Sequence, residues 1–307
     1  MNHLKSASRL LVHLLVLALY VPSAFGQGRT AKELFADAMN GDREALRQIV
    51  VLGNAGNVEA QVIIGDIYYR SDTGFPKDSV QAVFWWRKAA EQGQTNAQFN
   101  LAAMYATGDG VTKDAAQAVA WFKKAAEQGH ADAQFNLAAM YATGEGVPKD
   151  AAQAFPWYKK AAEQGHADAQ FNLAAMYATG DGVPKDAAQA VAWSRKAAEQ
   201  GQVNAQFNLA AMYATGDGVP KDLVMAYKWV TLAAEQGHAD AQFHLAAMYA
   251  TGDGVPRDLV IAYKWVTLAT AQGNTVAKEV RDVLEKEMTA AQITEARKLS
   301  GEWKPKK

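Results

Sequence analysis

Residues 97 to 133 read AQFNLAAMYATGDGVTKDAAQAVAWFKKAAEQGHADA, and the first fifteen of these return almost letter for letter four more times before residue 277. Phe99, Phe135, Phe171, Phe207 and Phe243 mark the register, 36 residues apart (135 − 99). A period of this size belongs to a solenoid. Each unit is one supersecondary element that cannot bury its own apolar face and must stack on its neighbours.

The unit divides into two helices. Ala97, Leu101, Met104, Tyr105 and Gly108 fall at i, i+4, i+7, i+8 and i+11, the stripe of an amphipathic α-helix, here helix A. Gly108 and Gly110 end it, because glycine enters the left-handed region at little steric cost. Asp114 is placed to cap the next segment, with Gln117 three residues on as the reciprocal partner of a capping box. Helix B then carries Ala118, Trp121, Phe122, Ala125 and Ala126 on its apolar side and stops at Gly129. Asp78, Asp150, Asp186, Asp222 and Asp258 repeat the cap. Trp85, Trp121, Trp157, Trp193, Trp229 and Trp265 form a column assigned to the core, since an indole buries about 150 to 250 Å² against small neighbours. Tyr68, Tyr105, Tyr141, Tyr177, Tyr213 and Tyr249 form a second column, whose hydroxyls need polar partners.

The combination of A, LG or LA, MY, GxGV, PKD, A, W and KAAEQG resembles the Sel1-like repeat, a relative of the tetratricopeptide repeat. The resemblance implies an all-α, right-handed superhelical solenoid of helix-turn-helix units, with six repeats over residues 60–277. Gly65 matches the family's helix A glycine. Ala102, Ala138, Ala174, Ala210 and Ala246 depart from it and are expected to space their helices slightly wider. Residues 27–59 read as a degenerate helical cap and residues 278–307 as a closing one. At this far end Val276, Val280, Val283, Leu284 and Met288 are expected to share an apolar face, and Thr289 with Gln292 to cap a last helix through Leu299. The first repeat has one extra residue between Tyr68 and Asp78. Pro156 sits about six residues inside a helix B, where it removes a backbone hydrogen bond and would kink the helix or bend the superhelix.

Composition narrows the function. Lys5 and Arg9, the apolar run Leu10 to Val21 and the small residues Ala24 and Gly26 read as a cleavable leader over residues 1–26, too short to span a bilayer. A periplasmic or secreted chain without membrane insertion is therefore expected. No Cys occurs, so packing alone must hold the array. That absence, with the lack of Asn-x-Ser/Thr acceptors, points to a bacterial envelope. Without Lys5 and Arg9 the balance is 29 basic to 32 acidic residues (31 − 2 against 32), which offers nothing to a phosphate backbone and excludes nucleic acid.

No catalytic set emerges. No Ser is followed by Lys three residues on, the arrangement of penicillin-binding enzymes. This bears on the resemblance, because some Cys-rich secreted relatives are linked to β-lactam binding or hydrolysis. His130, His166 and His238 recur too far apart in a stack to share one metal. The GDGV and GEGV turns carry an acid that would repel an anion. Neither cofactor nor metal is expected, and the chain is read as a non-enzyme.

By analogy with the tetratricopeptide relatives, Leu101, Ala102 and Tyr105 take core positions and helix A turns its other side to a concave face. The partner-binding candidates are then Phe99, Asn100, Ala103 and Thr107 in the type unit, with Phe135, Asn136, Thr143, Phe171, Asn172, Thr179, Phe207, Asn208, Thr215, Phe243 and His244 in the units that follow. Asn can both donate to and accept from a peptide backbone. The expected function is an exported scaffold that grips a protein or peptide on this face, with the oligomeric state left unspecified by the residues. The same residues also suit pure packing, with Phe buried between repeats and Asn bonded within its own helix turn. A secreted β-lactamase-like hydrolase and a secretory-pathway quality-control adaptor are the alternatives.

Overall fold

The computed structural model describes residues 29–70 and 72–306, and the leader expected at residues 1–26 lies outside them. Every regular element among the described residues is α-helical. They fall into two compact units, one ending at His130 and one beginning at Ala131.

The first unit contains α1 (Ala31–Met39), α2 (Arg43–Asn54), α3 (Val58–Tyr69), α4 (Ser79–Glu91), α5 (Thr95–Thr107) and α6 (Ala115–Glu127). A capping box at Thr30 and Glu33 starts α1. Leu34, Leu46, Ile49, Ile64, Ile67 and Trp85 close the core between the opening helix pair and the first repeat. The extra residue before Asp78 is absorbed in the loop. The Asp78 N–H still donates to the Tyr68 carbonyl at 2.7 Å, the same bond that joins Asp114 to Tyr105 at 2.9 Å.

The second unit contains α7 (Ala131–Thr143), α8 (Ala151–Glu163), α9 (Ala167–Thr179), α10 (Ala187–Glu199), α11 (Val203–Thr215), α12 (Leu223–Glu235), α13 (Ala239–Thr251), α14 (Leu259–Ala271), α15 (Thr275–Glu287) and α16 (Ala290–Gly301). Its core runs along the alanines, leucines and β-branched residues of both helices in each repeat. At the end of the array Ala277, Leu284 and Met288 are buried and Val280 packs beside them. Val276 and Val283, expected on that face, are instead 53% and 54% exposed: the buried stripe runs through positions 277, 280, 284 and 288, and the two valines lie off it. Thr289 and Gln292 form the capping box of α16.

Turn chemistry fixes the repeat boundaries. Gly108 closes α5 in the left-handed region at φ 82°. The second glycine of the turn has a further task. A Cβ on Gly182 would stand 2.4 Å from the backbone of Ala151, at the start of the preceding helix B, so only glycine lets the turn approach that backbone. Asp114 accepts from the Gln117 N–H at 3.0 Å, and Asp150 and Asp186 do the same in their repeats. The capping box expected there does not close; capping boxes are seen at Thr30 and Thr289 among the described residues.

Two packing expectations change. Trp85, Trp193, Trp229 and Trp265 are buried, whereas Trp121 and Trp157 are half-exposed and covered on one side by Lys124 and Lys160, whose Nζ atoms lie 3.8 and 4.3 Å from the ring centres. The strict stripe of helix B runs through 118, 122, 125 and 126, so the next residue, Phe122 or Tyr158, is the buried one and the indole sits at the edge. The alanines of helix A do not spread the helices either. The two helices of each repeat pair to nearly the same extent in all six. Where Gly65 faces Trp86, the repeats with alanine carry Phe122, Tyr158, Ser194, Val230 or Val266 at the Trp86 position, so a smaller side chain accommodates the methyl.

Candidate interaction surface

Helix A presents the predicted residues in two states of engagement. Phe99 is half-buried, packed against Phe122 at 5.7 Å and stacked on His130 at 4.5 Å. In the second unit Phe135 repeats this with Tyr158 and His166, and Phe207 stacks on His238 at 4.8 Å. The Phe rings thus pack across the repeat junction and keep only part of their surface for solvent. Ala103 and Ala139 are half-buried beside them, and Ala175 and Ala211 are exposed.

The polar members differ among themselves. Asn136 donates to the Asp132 carbonyl one turn back at 2.8 Å, and Asn172 bonds the Tyr158 hydroxyl. Asn208 is exposed. His244 replaces the fifth Asn and lies near Phe207 and Phe243, with ring centres 5.4 and 5.7 Å away. His244 is exposed, yet the neighbouring rings desolvate it enough to hold its imidazole below the ordinary value, opposed by Asp240 and reinforced by His238. Thr107, Thr143, Thr179 and Thr215 each donate to the carbonyl four residues back, at 3.0, 2.9, 2.9 and 2.9 Å, so their hydroxyl protons are already committed. In the second unit the columns at 135, 171, 207 and 243 and at 136, 172, 208 and 244 repeat on successive A helices; Phe99 and Asn100 carry the same pair in the first unit.

The recurrent histidines have a local structural role. His166 and His238 cap α9 and α13, their Nδ1 atoms accepting from Ala169 N and Ala241 N at 3.2 and 3.1 Å. Among the described residues no group of three or more His, Cys, Asp or Glu could hold a metal ion. No helix among them is long and apolar enough to cross a membrane.

A polar feature of the repeat was missed in the sequence. The glutamine preceding each Phe is buried: Gln98 is 4% exposed and Gln242 0%. Gln98 donates to the Ala90 carbonyl of the preceding helix B at 3.1 Å and accepts from Gln128, at the end of its own helix B, at 2.7 Å. Gln170, Gln206 and Gln242 make the same pair of bonds in the second unit, with Gln200, Gln236 and Gln272 as donors. One amide therefore ties three helices together and satisfies a helix-terminal carbonyl. The signal was present, since AQ and a later QG recur in every near-identical repeat with the two glutamines 30 positions apart (128 − 98).

Comparison with known proteins agrees with this architecture. The Sel1 repeat family model matches residues 58–94, 95–130, 131–166, 167–202, 203–238 and 239–274. The crystal structure of a Sel1 repeat protein from Oxalobacter formigenes is similar at 32% identity and a TM-score of 0.66, over 79% of this chain and 97% of that one. The structure of c5321, a protective antigen of uropathogenic Escherichia coli strains displaying an SLR fold, is 30% identical over 88% of this chain and 75% of its own, with a TM-score of 0.40. Among curated proteins none matches the chain. Six consecutive matches, each a helix pair with its Asp cap and buried glutamine, place the chain in the Sel1 repeat family.

Proposed function

We propose that the chain is an exported scaffold that binds an extended segment of a partner protein along the A-helix face. Sel1 repeat proteins are generally non-enzymatic scaffolds for protein interaction, and the proposal specifies where contact is made. The observation that carries it is the alignment of Phe135, Phe171, Phe207 and Phe243 with Asn136, Asn172, Asn208 and His244 on successive A helices of the second unit. Each repeat adds a partly exposed ring for an apolar side chain and, beside it, an amide or, at His244, an imidazole for a backbone group. Asn136 donates one of its two N–H groups internally and keeps the other N–H for a ligand.

The triple variant Asn136→Ala, Asn172→Ala, Asn208→Ala should retain its helicity and weaken capture of a partner from the exported fraction by about tenfold or more, as expected for loss of several hydrogen bonds of about 1 kcal/mol each. Undiminished capture would remove the amides from the interface. Export rests on the leader-like residues 1–26 and is tested by N-terminal sequencing of the secreted or periplasmic product, which should begin at Gln27.

A further inference from the structure

The segment that follows α16 does not trail into solvent. Trp303 meets the ring of Trp265 edge-on at 6.1 Å, and a Cβ on Gly237 would stand 3.7 Å from Trp303 and 3.8 Å from Pro305. The Lys306 N–H donates to the Glu235 carbonyl at 2.8 Å, and its Nζ reaches Oε1 of the same residue at 2.8 Å. A short Trp-Lys-Pro-Lys segment is thus seated across the end of α12 and the middle of α14. It uses one backbone bond, one ion pair and two apolar contacts.

The seat is built from Glu235, Gly237 and Trp265, with Lys264 close enough to Glu235 and Lys306 to feel both charges and Leu268 one turn further along the same helix. Thirty-six residues earlier (235 − 199) stand Glu199, Gly201, Lys228, Trp229 and Leu232, the same five residue types on the preceding pair of B helices. This copy is open. Glu199 is exposed and has no ion-pair partner among the described residues, and its carbonyl belongs to a last helical turn, where intrahelical partners run out. Leu232 is 37% exposed, whereas Leu268 is half-buried and packed against the core. One repeat further back the match fails, because Ala192 stands at the Lys228 position.

We infer that the groove formed by Glu199, Gly201, Lys228, Trp229 and Leu232 is a second docking site, on the B helices, for an extended partner segment with the aromatic-Lys-Pro-Lys chemistry of residues 303–306. The segment's aromatic ring lies over Gly201, at the edge of the buried Trp229, and its terminal Lys pairs with Glu199. The site is separate from the A-helix face and does not depend on it.

The test uses the full chain and a fluorescent peptide of residues 300–307 as probe. Saturable binding of one peptide per chain is expected, weakened about tenfold or more by Glu199→Lys and less by Glu199→Gln, since both substitutions are at an exposed position and remove the charge partner. Glu235→Lys and the Asn136, Asn172, Asn208 triple variant should leave that affinity unchanged. Absence of binding, or loss with Glu235→Lys alone, would overturn the proposal, the latter because the peptide would then be competing for the occupied seat. Concentration-dependent dimerisation abolished by Glu199→Lys would also overturn it, assigning the groove to a second copy of the chain.

Discussion

Gly65 faces the indole of Trp86 so closely that a Cβ there would stand 2.4 Å from Nε1, and this Nε1–H donates to Asp66 at 3.0 Å. The first repeat is therefore a matched pair: glycine on helix A makes room for the largest side chain on helix B. Burial pushes the Asp66 carboxyl up from its ordinary range, partly offset by the indole N–H and by Arg70. Gly65→Ala in the native background should destabilise the protein by about 1–3 kcal/mol through overpacking. In a Trp86→Phe background the same change should be neutral or stabilise by up to about 1 kcal/mol, because the clash is gone and alanine is the better helix former. Urea unfolding of the two singles and the double measures the coupling, and additive effects would contradict the pairing.

The buried glutamines predict a larger loss. Gln206 donates to the Ala198 carbonyl at 3.2 Å and accepts from Gln236 at 2.9 Å. Gln206→Leu fits a similar volume but strands a buried carbonyl and an amide N–H, at about 1–3 kcal/mol each. A fall in stability of about 2–4 kcal/mol is expected, far beyond that of an exposed Gln189→Leu, with thermal unfolding followed by circular dichroism as the measurement.

These two cases show why the fold was legible and part of its fastening was not. Periodicity at 36 residues, the Asp caps and the Gly turns are local signals, so repeat architecture and helix limits follow from the chain alone. Gln98 and Gln128 interact only after α5 and α6 are paired and stacked on α4, a relation that hydrophobic periodicity does not encode. The edge position of Trp121 is missed for a related reason: adjacent residues 121 and 122 are both aromatic, and only the neighbouring helices decide which faces inward. On the candidate face, residue identity placed the Phe and Asn columns. It gave no hint that Thr107 and Thr143 bond their own helices or that His166 both caps α9 and stacks on Phe135.

The lowered imidazole of His244 predicts a small pH dependence of stability. Desolvation favours its neutral form in the folded protein, so the unfolded chain takes up a proton more readily. The stabilisation is present in full above the unfolded imidazole value of about 6.5 and is lost as pH falls from there through the lower folded value. His244→Asn, which restores the residue found in the four preceding repeats, should flatten this part of the profile. Melting temperatures of both proteins between pH 7.5 and 5 supply the check, and parallel profiles would show that the imidazole contributes nothing.

Pro156 remains inside an unbroken helix. α8 runs from Ala151 to Glu163 through it, and the ring is exposed on the side away from the buried Ala154, Tyr158, Ala161 and Ala162. Packing of those four residues holds the helix together despite the missing N–H, leaving the Ala152 carbonyl without its usual donor at a position where water can reach it. Ala120 and Ala192 occupy this position in the neighbouring repeats, so alanine is already compatible with the backbone. Pro156→Ala should raise stability by up to about 3 kcal/mol. If Pro156 also shapes the binding surface, partner affinity will fall as the melting temperature rises; a more stable protein with unchanged affinity would limit its role to a tolerated local defect in α8.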